Sequence, residues 1–406
     1  MRSFKRPIVS LLTGTALVAL AGCAAEDADD GSSDDALTGA RCPTTKAAEI
    51  RALGDVAAQA ARCATDTTAP AFSPRGFAHT RNHASSLLPA QHRGRDAFYP
   101  VGDDQWVLGK FAYGLSDKDI KGEEVDVFVQ RGCGGAWEKL GTATTTQDGE
   151  HETVEGVEDK GGRVYFRIPA AKALPIVHHR VRMVVAGDGT GADQHIEVLP
   201  RGAAIFVSDV DGTLTERRPG DPAVVCDEES DFPALWRGMM GGAGQPYVHE
   251  HVAATFDKLA ALGYRPMYLT ARPEPLAPHT RAFLRASARG DGRGDLPLGV
   301  VHTTLGLTGA INSAAEDFKK SELEMLSKKG FRPTFGFGNR KSDVATYEAY
   351  RVPYGFLYEN PDTAVRACSQ VATLPRAGSR LTAGMRRVQS YGEALGLVAT
   401  TGPVCR

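Results

Sequence analysis

The stretch AAIFVSDVDGTLT, residues 203–215, constrains this chain more than any other. Its unbroken apolar run, Ala203–Val207, reads as a strand buried on both faces, as expected of the centre of a parallel sheet. Two aspartates one residue apart follow almost at once. Carboxylates are costly at the edge of a buried strand unless something pairs with them. Residues i and i+2 of an extended or turning segment point the same way, so Asp209 and Asp211 share a face. One such carboxylate can attack a phosphorus atom while the other handles the leaving-group proton. A divalent cation makes the crowding of the two acids tolerable. Gly212 permits a tight turn, and Thr213 adds a hydroxyl and backbone N–H groups. A plain Asp-Gly turn after a buried strand would use the same residues, so the rest of the chain must decide.

Downstream, strands alternate with helices. VAATFDKLAALG places Val252, Phe256 and Leu259 on one helical face and stops at Gly263. PMYLT is the next strand and puts Thr270 at its carboxyl end, where a hydroxyl can bind phosphate. DFKK supplies Lys319, a charge able to neutralise phosphoryl oxygens, with Lys320 as its solvent-facing neighbour. KKSELEMLSKKG is helical and ends at Gly330. TFGFGN is a strand and turn, and NRKSD gives Asn339 and Asp343, hard oxygen ligands suited to magnesium. GFLYE is a further strand. Strand–helix alternation implies a doubly wound parallel α/β sheet with right-handed crossovers. Sites in such sheets form at the carboxyl ends of strands, where the two aspartates sit.

The preceding region has another pattern. QWVLGKFAYGL, EVDVFVQR, WEKLGTATT, RVYFRIP, VRMVVAGD and QHIEVLP are short runs rich in β-branched and aromatic residues, parted by Gly, Asp and Pro. They predict an antiparallel β-sandwich over 101–200. GDGTGAD, residues 187–193, reads as a glycine-rich hairpin, since the alternating carboxylates of a calcium loop are missing. Residues 41–65 read as helical, with Ile50, Leu53 and Val56 near helical spacing, and 66–100 as irregular surface chain. The α/β domain is expected over 201–375 and a helical tail over 376–406.

The beginning of the chain carries a targeting pattern. Arg2, Lys5 and Arg6 precede an apolar run, Ile8–Leu20, that is shorter than the ~20 residues of a membrane helix. LAGC ends at Cys23 and resembles the bacterial lipobox, which implies cleavage after residue 22 and lipidation of the Cys23 sulfur. EDADDGSSDD follows within an acidic tether, 23–40. The expectation is an exported bacterial lipoprotein, anchored to a phospholipid membrane on the periplasmic or cell-surface side. Net charge is −2 with no basic block, which argues against nucleic acid as a partner. Six further cysteines, Cys42, Cys63, Cys133, Cys226, Cys368 and Cys405, suggest disulfides in an exported chain. Pairing local neighbours gives Cys42–Cys63 and Cys368–Cys405, leaving Cys133–Cys226.

DVDGTLT resembles the first motif of the haloacid dehalogenase (HAD) superfamily of phosphohydrolases, and the three later elements follow in the expected order. YLTARP, HTRAFL, LPLGVVH, DFKK, GFGNRKSDVATYEAY and FLYENPD together resemble the catalytic domain of the lipins, magnesium-dependent phosphatidate phosphatases, over about residues 203–362. The resemblance implies that Asp209 is the nucleophile and Asp211 the general acid and base. Thr270 and Lys319 would bind phosphate. Magnesium would be held by Asp209, the Asp211 carbonyl, Asn339 and Asp343. The reaction implied is hydrolysis of phosphatidate to diacylglycerol and phosphate. Residues 216–231 look inserted relative to the lipins. Two other readings stay open: a phosphatase for a soluble phosphomonoester, and a phospholipid-binding module without catalysis. Phosphatidylinositol-transfer proteins carry a lipin-like domain of the second kind that lacks the full aspartate pair, which is present here. Arg272 and Arg281 are candidates to steady a phosphate or headgroup. His178, His179, His249 and His251 read as surface histidines and His302 as structural.

Overall fold

In the computed structural model of the protein, the residues described are Val56, Ala60, Cys63, 67–216, 247–286, 296–307, 309–310, 313–359, 374–378 and 380–401. Cys23, the tether, and the chain between Glu216 and Tyr247 lie outside them.

The first part is a sandwich of two sheets. One holds β1 (Arg93–Gly94), β3 (Trp106–Lys110) and β8 (Arg163–Arg167) in the order β1-β3-β8. The other holds β2 (Ala97–Pro100), β6 (Glu124–Gln130), β7 (Glu138–Thr144), β9 (His178–Val185) and β10 (Gly191–Leu199) in the order β2-β10-β9-β6-β7. Alternate strand residues, among them Val107, Val125, Val127, Val129, Val181 and Met183, fill the core between them. Pairing is antiparallel except where β2 runs parallel to β10. A short pair, β4 (Ala112–Tyr113) and β5 (Lys118–Asp119), lies beside the sandwich. GDGTGAD does form the β9–β10 turn.

The sandwich starts earlier than the expected boundary at 101. Helix α1 (Thr80–Ser85) and strands β1 and β2 occupy the segment read as irregular surface chain. Its polar composition misled because its polar side chains are buried in ion pairs. The C-terminal reading also changes: β18 (Gly384–Val388) is a full strand of the second sheet, and among the described residues there the helix is α6 (Tyr391–Val398).

That second sheet is six-stranded and parallel, in the order β15-β14-β11-β16-β17-β18. Its members are β11 (Ala204–Ser208), β14 (Arg265–Leu269), β15 (Val300–His302), β16 (Arg332–Gly338), β17 (Tyr354–Tyr358) and β18. The chain builds outward from β11 through β14 to β15, then reverses across β11 to β16. The topological switch point therefore lies between β11 and β16. Strand side chains alternate between the faces. Phe206, Tyr268, Phe335 and Phe337 meet α2 (Val252–Ala261), α3 (Ala277–Ala286) and α6. Ile205, Val207, Met267 and Leu357 meet α4 (Ser313–Lys328) and α5 (Lys341–Ala349), along with Phe98 and Leu199 of the sandwich. A two-stranded pair joins β12 (Thr215–Glu216) to β13 (Tyr247–Val248).

Sandwich and α/β domain share buried charge. Asp96, between β1 and β2, accepts from Arg281 Nη2 at 2.7 Å and Nε at 3.1 Å, from the His195 N–H at 2.8 Å and from the Val301 N–H at 3.1 Å. Arg95 donates to the Thr303 carbonyl at 2.9 Å and to Glu322 at 2.5 Å. Arg93 and Arg163 converge on Glu274 at 3.2 and 3.0 Å. Arg285 donates to His195 Nε2 at 2.8 Å; because a guanidinium only donates, His195 Nδ1 donates to His178 at 3.0 Å and His178 Nδ1 to Glu197 at 3.1 Å. Glu197 is also paired with Arg265. His178, His179 and His249 are thus buried rather than on the surface, and Arg281 is a domain tie rather than a headgroup contact.

Cys63 is bonded to Cys133, with Cα atoms 5.0 Å apart, so neither takes the partner expected. Sequence proximity was the wrong guide: Val56, Ala60 and Cys63, helical and spaced four and three residues apart, bury one face against the folded chain and bring Cys63 to the turn after β6. The other four cysteines lie outside the described residues. The bond spans 70 residues of chain, so reducing it is expected to cost about 4 kcal/mol of stability, read by urea unfolding with and without thiol.

A second prediction concerns acid. Burial pushes the Glu274 and Glu322 carboxyls up, but the charges of Arg93 and Arg163 on one, and of Arg95 and His302 on the other, bring each down from 4.5 to about 2. A lowered folded-state value stabilises above the unfolded value and is lost as pH falls through the folded one. Each carboxylate should therefore contribute on the order of 3 kcal/mol above pH ~4.5 that disappears towards pH ~2. Urea unfolding between pH 2 and 6 should show this fall, and Glu274→Gln should flatten it by one proton.

Candidate active site

Every strand tip at the switch point delivers a polar group. β11 ends just before Asp209, whose backbone N–H is fixed by the Phe337 carbonyl at 3.0 Å. β16 ends before Asn339, and β14 ends before Thr270, whose N–H is held by the His302 carbonyl at 3.0 Å. Lys319 reaches in from the first half of α4. The expected residues are brought together as two linked clusters.

The first centres on Lys319, which is buried. Its Nζ donates to Asp209 Oδ1 at 2.9 Å and to Asp343 Oδ1 at 2.7 Å. The other Asp343 oxygen accepts from the Asn339 and Arg340 N–H groups, each at 3.0 Å, closing the first turn of α5. A carboxylate in that position also faces the positive end of the helix dipole. Thr213 Oγ1 lies 3.0 Å from Asp209 Oδ2 and 3.2 Å from Asn339 Oδ1, so those two oxygens converge on one hydroxyl. Tyr391 fixes this turn by donating to the Thr213 carbonyl at 2.9 Å.

The second cluster surrounds Asp211. Arg272 grips its carboxylate through Nε at 2.9 Å and Nη2 at 2.6 Å, and Thr270 Oγ1 donates at 3.2 Å. Burial raises the Asp211 carboxyl, yet the Arg272 charge and these hydrogen bonds hold it below the usual carboxylate range. Arg272 also donates to Thr280 at 3.1 Å, and its own carbonyl accepts from the Thr304 N–H at 3.0 Å. Gly212 joins the clusters. It has φ +72°, and a Cβ there would stand 2.2 Å from Asn339 Nδ2, so both conformation and space require glycine.

Sequence reasoning missed the layer behind these groups. Arg95 and Asp96 come from the sandwich, yet they brace the loop from His302 to Thr304 and the Glu322 side chain, one turn along α4 from Lys319. His302 Nε2 donates to the Asp96 carbonyl at 2.7 Å, and its other nitrogen is paired with Glu322. The partners are about 200 residues apart in sequence (208 for Arg95 and Thr303), so no local pattern announces them. Lys320 pairs with Glu316 at 2.5 Å on the outer side of the helix.

A lysine between two buried carboxylates removes the repulsion that would otherwise drive β11 and α5 apart. Lys319→Met is expected to destabilise the protein by about 3–5 kcal/mol in urea unfolding, since it leaves two facing charges uncompensated. Adding Asp343→Asn should restore part of the loss, so the pair will not be additive.

Comparison with known proteins follows the same division. Residues 90–198 match the family model described as PITM 1-3, beta-sandwich domain, and residues 177–373 the model described as LNS2 (Lipin/Ned1/Smp2). The chain is 29% identical over 273 residues to membrane-associated phosphatidylinositol transfer protein 2 of Mus musculus, covering 67% of this chain and 17% of that protein. Membrane-associated phosphatidylinositol transfer protein 1 of Homo sapiens is 32% identical over 149 residues, 36% of this chain and 11% of that protein. Protein retinal degeneration B of Drosophila melanogaster is 32% identical over 130 residues, 32% of this chain and 9% of that protein. This chain thus spans 17% or less of the length of these relatives.

Proposed function

We propose, for a chain that carries an LNS2 (Lipin/Ned1/Smp2) domain behind a PITM-type β-sandwich, that the site hydrolyses a phosphomonoester at a membrane, with phosphatidate as substrate. The LNS2 domain ties the chain to phosphatase and phospholipid chemistry. One observation carries the finer reading: Asp209 and Asp211 emerge from the switch point into separate settings, one beside Lys319 and the other in the fork of Arg272. Two carboxylates in distinct environments are what a nucleophile and a proton carrier require.

Asp209 attacks phosphorus in line and forms an aspartyl-phosphate as the ester P–O bond breaks. The leaving alkoxide takes a proton from Asp211. Water then attacks the aspartyl-phosphate, Asp211 accepts its proton, and inorganic phosphate leaves with Asp209 regenerated. A substrate phosphate competes with Asp211 for the Arg272 guanidinium, which frees the carboxyl to carry the proton. Thr270 and Thr213 present hydroxyls and Lys319 a positive charge to the transferring group.

The donor set fits magnesium. Asp209, Asn339, Asp343 and the Asp211 carbonyl offer hard oxygens, and the Asp209 and Asn339 oxygens already converge on Thr213. Among the described residues no three His, Cys, Asp or Glu side chains form a ready cage. Magnesium does not need one, because it binds through one or two carboxylates together with substrate phosphate and water. Bound there, it would neutralise charge on the phosphoryl oxygens. On this reading lipidated Cys23 keeps the exported chain at the membrane surface.

A second reading has its own support: the relatives are named as transfer proteins, and the Lys319 clamp would serve phosphate binding equally well. Phosphate release from phosphatidate in mixed micelles separates the two. Release is expected to need magnesium and to fall on the order of 10³-fold or more in Asp209→Asn. Binding of phosphatidate with no release would make the domain a lipid-binding module, and release only from soluble esters would move the substrate off the membrane.

A further inference from the structure

Among the described residues, five large apolar side chains are notably exposed: Leu87 at 80%, Leu88 at 51%, Val101 at 45%, Leu115 at 46% and Leu307 at 57%. Four of them are connected through one relay. Leu88 follows α1, and its Cδ1 would stand 2.7 Å from a Cβ on Gly114, the neighbour of Leu115. Two residues after Leu115, Asp117 pairs with Arg93 at 2.6 Å, and Arg93 with Glu274 at 3.2 Å. Glu274 lies two residues after Arg272, and its N–H donates to the Gly306 carbonyl at 3.1 Å, next to Leu307. The leucine-bearing turns of the sandwich are therefore wired to the loop that holds Asp211.

The helix that leads into Leu87 and Leu88 is firmly held. Asn82 of α1 donates to the Lys121 carbonyl at 3.0 Å and to Glu123 at 2.7 Å, and Glu123 also accepts from the Ala78 and His79 N–H groups at 2.8 and 2.9 Å. Ordinary exposed turns carry small or polar residues; leucines exposed on two turns that touch, Leu87–Leu88 and Leu115, mark a contact surface. Charge favours an anionic partner. The acids of this flank face inward or to a cation: Asp117 to Arg93, Asp119 to Lys110 at 2.6 Å, and Asp148 to Lys121 at 2.6 Å. Arg81 and Lys118 are exposed and have no ion pair among the described residues.

We propose that Leu87, Leu88, Leu115 and Leu307 form a docking rim that enters the interface of an anionic bilayer, with Arg81 and Lys118 against its headgroups. No described helix is long and apolar enough to cross a membrane, so the contact is peripheral, of the kind made by apolar side chains flanked by basic ones. The inference rests on the membrane-substrate reading and adds to it how the site is set against the bilayer.

The test uses the full chain with Cys23→Ser, so that no acyl chain supplies the binding. Vesicles of phosphatidylcholine with phosphatidylglycerol contain no phosphomonoester, so co-sedimentation reads docking whether or not the site turns over. Binding is expected to drop at least tenfold in Leu87→Glu/Leu115→Glu, and to weaken with salt less steeply in Arg81→Gln/Lys118→Gln than in the parent. Circular dichroism and the urea midpoint of each variant show whether the fold is kept; should the first pair fail to fold, Leu87→Ser/Leu307→Ser replaces it. Unchanged sedimentation of folded variants, or no binding by the parent, overturns the proposal. So does a parent dimer that the leucine substitutions convert to monomer, which would assign the rim to a second copy of this chain.

Discussion

The buried ammonium of Lys319 holds together two elements that would otherwise repel and ties both to a third. Asp209 sits at the tip of β11 and Asp343 in the first turn of α5, across the sheet's switch point. Both carboxylates are out of water, where an unpaired charge is costly. Lys319 reaches both from α4, so the strand tip and the two helices are fixed by one cation. The turn through Gly212 follows from this. With Asp209 held on one side and Asn339 packed against it on the other, the backbone must pass where no Cβ fits. That turn then delivers Asp211 to Arg272, and the two carboxylates reach different partners.

The sandwich extends this order. Its first strands place Arg95 and Asp96 inside the α/β domain, where they satisfy a backbone carbonyl, a backbone N–H and two charged side chains. Removing one member of such a network would leave the others buried and unpaired, which makes the interface cooperative. The loop so braced carries the His302 carbonyl that holds Thr270 and the Thr304 groups that hold the Arg272 carbonyl. Geometry at Asp209 and Asp211 is therefore set partly by residues that belong, by chain order, to another domain.

Much of this was legible in the sequence, for a physical reason. Strand β11 reads as central because it is apolar without interruption; Asp209, Thr270 and Asn339 read as site residues because each follows a strand end, and Lys319 because DFKK falls in the order of the motifs. The α/β alternation and most sandwich strands were visible from period and punctuation. What stayed hidden depends on long-range pairing. Asp96 and Arg281 are 185 positions apart, and nothing local distinguishes a buried, paired arginine from an exposed one. For the same reason His178 and His179 read as surface residues, and Arg281 reads as a candidate for a phosphate or headgroup as readily as for a surface salt bridge. β18 was missed because GMRRV is half polar, as an edge strand can be. The Cys63–Cys133 bond was missed because spacing along the chain says little about which helix packs on which turn.

The overlap between the two family matches has a structural basis. The LNS2 match begins at residue 177, within a region also covered by the sandwich match, and so takes in β9 and β10. Of these, β10 sends buried side chains out of the sandwich: Glu197 pairs with Arg265 of β14, and His195 accepts from Arg285 of α3. An α/β domain cut at residue 201 would lose the partner of Arg265, a fully buried guanidinium in the strand that leads into Thr270. Charge that cannot return to water defines the working unit, and it places the last strand of the sandwich with the α/β sheet as much as with its own.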